Sequence, residues 1–202
     1  MNEKDFEKLQ EQIRRCRICR ETFGFEPQPI VWGHQKAPIL ILGQAPGLLV
    51  QQAQKPFSDP SGKRLREWLN VSEEEFYDPD LFYFGMSAHC FPGKSSNRHD
   101  AKPPKICFEK WGLKEIEGLD HVQMILVLGM EGARRLLGSG KLEDLAFEDH
   151  QIRGVPVYVL PHPSPLNALW VKKHPDFESK RLPIIQKKLR TILNEVKEEK
   201  TT

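Results

Sequence analysis

The chain has 202 residues, of which 39% are hydrophobic and 29% are charged, and its formal net charge is +2. These values are ordinary for a soluble globular protein, so we expect residues 1–202 to form a single domain, and the charge alone does not indicate nucleic-acid binding. No apolar segment is long enough to span a membrane and the N-terminus lacks a signal peptide's apolar region, so we expect a cytoplasmic protein without membrane contact.

The predicted secondary structure alternates between helices and short buried strands. A first helix is indicated from Glu3 to Arg15, where apolar residues recur at helical spacing. Unbroken apolar runs predict four strands, at residues 39–42, 81–88, 124–128 and 155–160. Strands that alternate with helices form parallel sheets covered on both faces. We therefore predict an α/β protein in which three α/β/α layers contain a central four-stranded parallel sheet.

The four cysteines fall into two pairs along the chain. Cys16 and Cys19 form C-R-I-C, whereas Cys90 and Cys107 are separated by a loop rich in Pro, Gly and Lys. Four thiols in a cytosolic chain favour a metal site over disulfides, and four thiolates suit zinc or an iron–sulfur cluster. Zinc ribbons usually carry two C-x-x-C pairs, so the wide second pair favours the cluster. The alternative is that these are buried free thiols.

Two polar loops follow buried strands. The sequence G-Q-A-P-G runs from Gly43 to Gly47 after the first strand, and P-H-P-S-P-L-N runs from Pro161 to Asn167 after the fourth. Ligands of open α/β sheets bind beyond the carboxyl ends of the strands, and glycine lets the backbone approach a ligand closely. Both loops face one pocket if their strands are neighbours.

These two loops, together with the P-F dipeptide that ends at Phe57, resemble the uracil-DNA glycosylase superfamily. The cysteine spacing is similar to that of its family four branch, which holds a four-iron cluster on two N-terminal and two later cysteines. The resemblance implies a monomeric base excision repair enzyme that hydrolyses the N-glycosidic bond of uracil, or of a related deaminated base, flipped out of single- or double-stranded DNA. It also implies a [4Fe–4S] cluster, with zinc as the alternative, on four ligands: Cys16, Cys19, Cys90 and Cys107.

The resemblance also assigns roles to residues of the loops. His162 would donate a hydrogen bond to a carbonyl oxygen of the leaving base, and Gln44 would orient the attacking water. Phe57 would stack on the base, and Leu166 would fill the gap that the base leaves in the duplex. The residues implied to bind the base are Gln44, Ala45, Phe57, Ser87 and His162. The residues implied to bind DNA are Ser164, Pro165, Leu166, Lys94 and Arg98.

Three positions depart from the pattern of these relatives, and one of them is Ala45, which stands where the best-studied uracil enzymes have Asp. Gln44 stands where the cluster-bearing branch has Glu, and an amide cannot accept a proton from water. Met86 or Ser87 stands where relatives have an asparagine that reads the uracil amide edge. The departures favour, as an alternative, a catalytically weak or inactive protein that binds DNA or nucleotides on the same scaffold. A zinc-stabilised α/β hydrolase of small nucleotides is a further alternative, and taken singly Phe57 also suits an ordinary core position.

Overall fold

The computed structural model of the protein describes residues 1–201, with side chains to residue 199. Five strands in this range form one sheet: β1 (Ile39–Gly43), β2 (Phe82–Met86), β3 (Met124–Leu128), β4 (His150–Ile152) and β5 (Val155–Leu160). Their order across the sheet is β2-β1-β3-β5-β4. All neighbours are parallel except β4 and β5.

The helices are, in chain order, α1 (Glu3–Arg14), α2 (Arg20–Phe23), α3 (Leu48–Ala53), α4 (Pro60–Leu69), α5 (Glu73–Tyr77), α6 (Lys105–Cys107), α7 (Leu113–Gly118), α8 (Gly129–Leu136), α9 (Leu142–Leu145), α10 (Ala168–Lys173) and α11 (Leu182–Thr201). Single π-helical turns lie at Phe108–Gly112 and Phe177–Arg181, and a 3₁₀ turn lies at Pro165–Asn167. Over the described residues, none of these helices has both the length and the apolar character needed to cross a membrane.

The alternation of side chains along each strand divides the core into two layers. Ile39 and Ile41 of β1 face a cluster that includes the buried side of α4 and α11. Leu40 and Leu42 face the opposite cluster, which includes α1 and residues from α8 and α9. The expected three-layer α/β/α arrangement is therefore confirmed.

The expected count of four strands is wrong, because β4 adds an antiparallel edge. Arg153 and Gly154 both have positive φ, 52° and 81°, as the central residues of a two-residue hairpin turn require. The three residues of β4 are only half-buried or exposed, so their sequence carries no apolar run. Periodicity therefore gives no signal for this strand.

The strands that carry the two polar loops are not neighbours, since β3 lies between β1 and β5. The loops nevertheless meet, because Gly129, at which the chain turns from β3 into α8, has no side chain that would separate them. A β-carbon at Gly129, whose φ is +76°, would lie 3.2 Å from the Cβ of His162. The second loop thus crosses over the end of β3 to reach the first.

Candidate active site

A cavity of about 540 Å³ lies at the carboxyl ends of β1, β2 and β5. The first loop lines it from Gly43 to Gly47, and the second contributes His162, Ser164, Leu166 and Asn167. A third segment, after β2, supplies basic residues to the same cavity. The two loops singled out in the sequence therefore border one space at the edge of the sheet where α/β proteins bind ligands.

His162 is held in a defined orientation inside this cavity. Its Nδ1 accepts a hydrogen bond from the backbone N–H of Ser164 at 3.2 Å, and its carbonyl accepts one from Nδ2 of Asn167 at 2.9 Å. Burial lowers the pKa of His162 below its ordinary value, and the Asp59 carboxylate partly offsets this shift. The imidazole is therefore neutral at pH 7, and an Nδ1 that accepts a hydrogen bond leaves the proton on Nε2.

Phe57 contributes an aromatic ring to the cavity from a strained backbone. It is 8% exposed and has a φ of +53°, a left-handed conformation that bulky residues rarely adopt. Its carbonyl accepts hydrogen bonds from the Tyr77 hydroxyl at 2.9 Å and from Nη1 of Arg66 at 3.4 Å. A β-carbon at Gly62 would overlap this carbonyl oxygen, at 1.7 Å, so Gly62 is required for the turn. Strain of this kind concentrates at functional sites.

Asp59 also places its carboxylate in the cavity, although its position in the sequence gives no sign of this. It caps the N-terminus of α4, where its side chain accepts a hydrogen bond from the Gly62 N–H at 3.1 Å. It lines the same cavity as His162 and acts electrostatically on that imidazole. The sequence signal available was Asp followed by Pro at a helix start, which indicates a cap but no contact with the loops.

The remaining residues assigned to base binding divide into two groups. Gln44 and Ala45 line the cavity, and the Gln44 carbonyl accepts a hydrogen bond from the Ala88 N–H at 3.0 Å. Ser87 is fully buried and does not line the cavity, and its Oγ has no hydrogen-bond partner among the described residues. Met86 lines the cavity from the end of β2 instead. The end of β2 therefore presents an apolar thioether to the cavity, and not a side-chain amide.

The residues assigned to DNA surround the mouth of the cavity. Lys94 and Arg98 line it, and Lys94 pairs with Asp100, which lies on the same loop. Ser164 lines it from the second loop, and the neighbouring Pro165 is exposed. The side chain of Leu166 is 78% exposed at the rim. Two basic side chains and an exposed apolar side chain thus border one cavity. In protein–DNA complexes, side chains of the first kind contact phosphates and those of the second kind insert between bases.

A sequence model of the uracil DNA glycosylase superfamily matches residues 31–186. The chain belongs to this superfamily. The matched range contains both loops of the cavity, together with Cys90 and Cys107, and Cys16 and Cys19 precede it. The superfamily consists of DNA glycosylases, hydrolases that act in DNA repair.

All four cysteines of this glycosylase-family chain line a second cavity, between α1 and the segment after β2. The cavity is otherwise lined mainly by aliphatic, proline and aromatic side chains, including Trp111, whose Nε1 donates to Sγ of Cys16 at 3.2 Å. Burial raises the pKa of the Cys107 thiol to about 12 and raises that of Cys90 further. The fold thus brings the two cysteine pairs, which are distant in the sequence, together around one cavity.

The arrangement of these thiols bears on what they can bind. Within the described part of the chain, no group of three or more His, Cys, Asp or Glu side chains is arranged to hold a metal ion. A zinc site needs its thiolates around one ion, each at about 2.3 Å. In a cluster each thiolate binds a different iron, so the sulfurs lie further apart. Four thiols that line one cavity are the donor set that either group would use.

Proposed function

We propose that the protein is a DNA glycosylase that hydrolyses the N-glycosidic bond of uracil, or of a related deaminated base, flipped out of DNA. The observation that carries this proposal is the orientation of His162. Its imidazole is neutral, its Nδ1 is occupied by the Ser164 N–H, and the side chain lines the cavity where the two loops meet. A donor at Nε2 is therefore available to a base that enters.

Cleavage of the glycosidic bond leaves positive charge on the sugar and negative charge on the departing base. The Nε2–H of His162 would donate to a carbonyl oxygen of the base as that negative charge develops. A preorganised donor of this kind lowers the barrier by about 3 kcal/mol. Because burial keeps the pKa of His162 low, the imidazole stays neutral and donates without itself losing a proton.

The cavity also offers binding groups for the base and its flanking strand. Phe57 would stack on the flipped base, with Gln44 and Ala45 against its edge, and Leu166 would occupy the vacated position in the duplex. Lys94 and Arg98 would contact phosphates, with Ser164 and Pro165 beside them. Since Met86 offers no hydrogen bond to an amide edge, selection among deaminated bases would depend on stacking, on the contacts with Gln44 and Ala45, and on the hydrogen bond from His162.

The attacking water requires a group that accepts its proton, and Gln44 cannot supply one. We infer that Gln44 orients the water and that the Asp59 carboxylate takes its proton as the oxygen bonds to C1′ of the sugar. One oxygen of Asp59 accepts from the Gly62 N–H, and the second, which accepts no hydrogen bond from the described residues, would serve this role. The base leaves with the electron pair of the glycosidic bond.

The proposal includes a [4Fe–4S] cluster on Cys16, Cys19, Cys90 and Cys107. The shared apolar cavity supports it, and so does the N–H donor of Trp111 on Cys16, because hydrogen bonds to cluster sulfurs are a common means of tuning such sites. Bound iron would compensate the thiolates that burial otherwise disfavours. When bound, the cluster supplies a cross-link between the N-terminal segment and the segment after β2.

Base release from oligonucleotides that contain uracil, hypoxanthine or xanthine, in single and double strands, tests the activity. We expect release of at least one of these bases and none from undamaged DNA. Retained DNA binding without any release would instead support the inactive binding protein. Iron and acid-labile sulfide analysis of anaerobically purified protein tests the cluster, and one zinc per chain without sulfide would overturn that part of the proposal.

A further inference from the structure

The segment that follows β2 borders two cavities. We call the one lined by the four cysteines the cysteine cavity, and the one lined by the two polar loops the catalytic cavity. Ala88 and Cys90 line the cysteine cavity, whereas Pro92 and Lys94 line the catalytic cavity. The Phe91 ring between these pairs stacks on Phe25, at a centroid distance of 6.2 Å. A shift in this segment at the cysteine cavity would therefore displace residues at the other cavity as well.

Gln51 fastens this segment and the N-terminal segment to one helix. It lies on α3 and is 8% exposed. Its Oε1 accepts a hydrogen bond from the Phe91 N–H at 2.7 Å, and its Nε2 donates to the Gln28 carbonyl. Phe91 directly follows Cys90, and Gln28 lies between two prolines that line the cysteine cavity. Both ends of one buried amide thus hold walls of that cavity.

The same residue is tied to the first catalytic loop by the helix that carries it. The backbone N–H of Gln51 donates to the Gly47 carbonyl at 2.9 Å, and Gly47 caps the N-terminus of α3. Gly47 also lines the catalytic cavity, at the end of the loop that begins with Gly43. Because α3 is a short, hydrogen-bonded unit, a displacement of the Gln51 side chain moves the end of this loop.

We propose that Gln51 is a positioning residue that couples the cysteine cavity to the first catalytic loop. An intact cysteine cavity fixes Phe91 and Gln28, these fix Gln51, and Gln51 fixes α3 together with the loop from Gly43 to Gly47. The consequence for base excision rests on the function proposed above, whereas the coupling does not. It is therefore tested in the free protein, without DNA.

The test compares amide hydrogen exchange of the peptide spanning residues 43–53, with the cysteine cavity intact and with it disrupted by Cys90→Ser. The variants are Gln51→Leu and the control Gln52→Leu, an exposed position on the same helix. In the wild type and in the control, we expect Cys90→Ser to accelerate exchange about fivefold, the effect of losing one buried hydrogen bond. In Gln51→Leu we expect this peptide to exchange faster than in the wild type even with the cysteine cavity intact, and the addition of Cys90→Ser should raise the exchange rate by less than about twofold.

Equal acceleration by Cys90→Ser with and without Gln51, or no acceleration when Gln51 is present, would overturn the coupling. If Cys90→Ser does not fold, Cys19→Ser perturbs the same cavity from a half-buried position. Circular dichroism and a cooperative melt establish that each variant is folded.

Discussion

Replacement of Tyr77 by Phe tests whether the strained conformation of Phe57 serves base binding. Only the hydroxyl is lost, and with it the 2.9 Å hydrogen bond that it donates to the Phe57 carbonyl and the 3.4 Å hydrogen bond that it accepts from Nη1 of Arg66. Arg66 keeps its own hydrogen bond to the Phe57 carbonyl, at 3.4 Å, so the turn is weakened rather than abolished. The lost bond to the Phe57 carbonyl contributes about 1 kcal/mol, which is comparable with the cost of a left-handed backbone at a bulky residue.

Two consequences of Tyr77→Phe are separable. The melting temperature should fall by about 2–4 °C, the shift that about 1 kcal/mol produces in a domain of this size. Base stacking contributes about 1–3 kcal/mol, so partial release of the Phe57 ring should weaken substrate binding by about tenfold. The rate of the bound complex should change little, because Tyr77 touches no reacting atom.

Single-turnover excision measured at increasing enzyme concentration separates the effect on substrate binding from the effect on the rate of the bound complex. We expect the half-saturating concentration of Tyr77→Phe to rise while the maximal rate stays near that of the wild type. Tyr158→Phe, which removes a half-buried hydroxyl from β5, is the control and should leave both unchanged. An unchanged half-saturating concentration, despite the lower melting temperature, would refute the link between the turn and base binding.

Three further predictions concern His162 and Asp59. Gly129→Ala and Gly138→Ala both strain a positive φ, but only Gly129→Ala adds a carbon near His162. We therefore expect only Gly129→Ala to slow excision by more than about tenfold in the single-turnover assay, and equal rates for the two variants would contradict the contact. Asp59→Asn keeps the cap on the Gly62 N–H and removes the charge, so we expect the maximal rate to fall by about tenfold or more at unchanged DNA affinity, measured by anisotropy, and an unchanged rate would exclude Asp59 as the proton acceptor. Because burial lowers the pKa of His162, the unfolded chain binds a proton that the folded protein does not, so its contribution to the free energy of unfolding is lost as pH falls below the ordinary pKa of 6.5. Urea unfolding at about pH 7.5 and about pH 5.5 should therefore show a smaller pH dependence in His162→Gln than in the wild type, and an equal dependence would contradict the shift.

The apolar runs predicted β1 and β3 closely because both strands are buried along their whole length, and they predicted β5, of which only Val157, Val159 and Leu160 are fully buried. The loops that follow β1 and β5 were found because their apolar runs end at Gly43 and at Pro161. The sequence could not order the strands, so the insertion of β3 between β1 and β5 came only from the structure.

Other features of the site depend on contacts that no local pattern encodes. Met86 and Ser87 are consecutive at the end of β2, so their side chains point to opposite sides, and only the packed sheet decides which one lines the cavity. Asp59 reads in the sequence as an ordinary helix cap, and its proximity to His162 arises from the turn at Phe57. The pairing of the cysteines along the chain indicated a shared site, but not its link to the catalytic loop through Gln51.

The most direct measurement is the single-turnover rate of uracil release by the wild type and by His162→Ala, at saturating enzyme. Loss of the imidazole removes the donor to the leaving base, so we expect the rate to fall by about a hundredfold or more, with the fold and DNA binding retained. A rate within about twofold of the wild type would contradict the role of His162 in base excision.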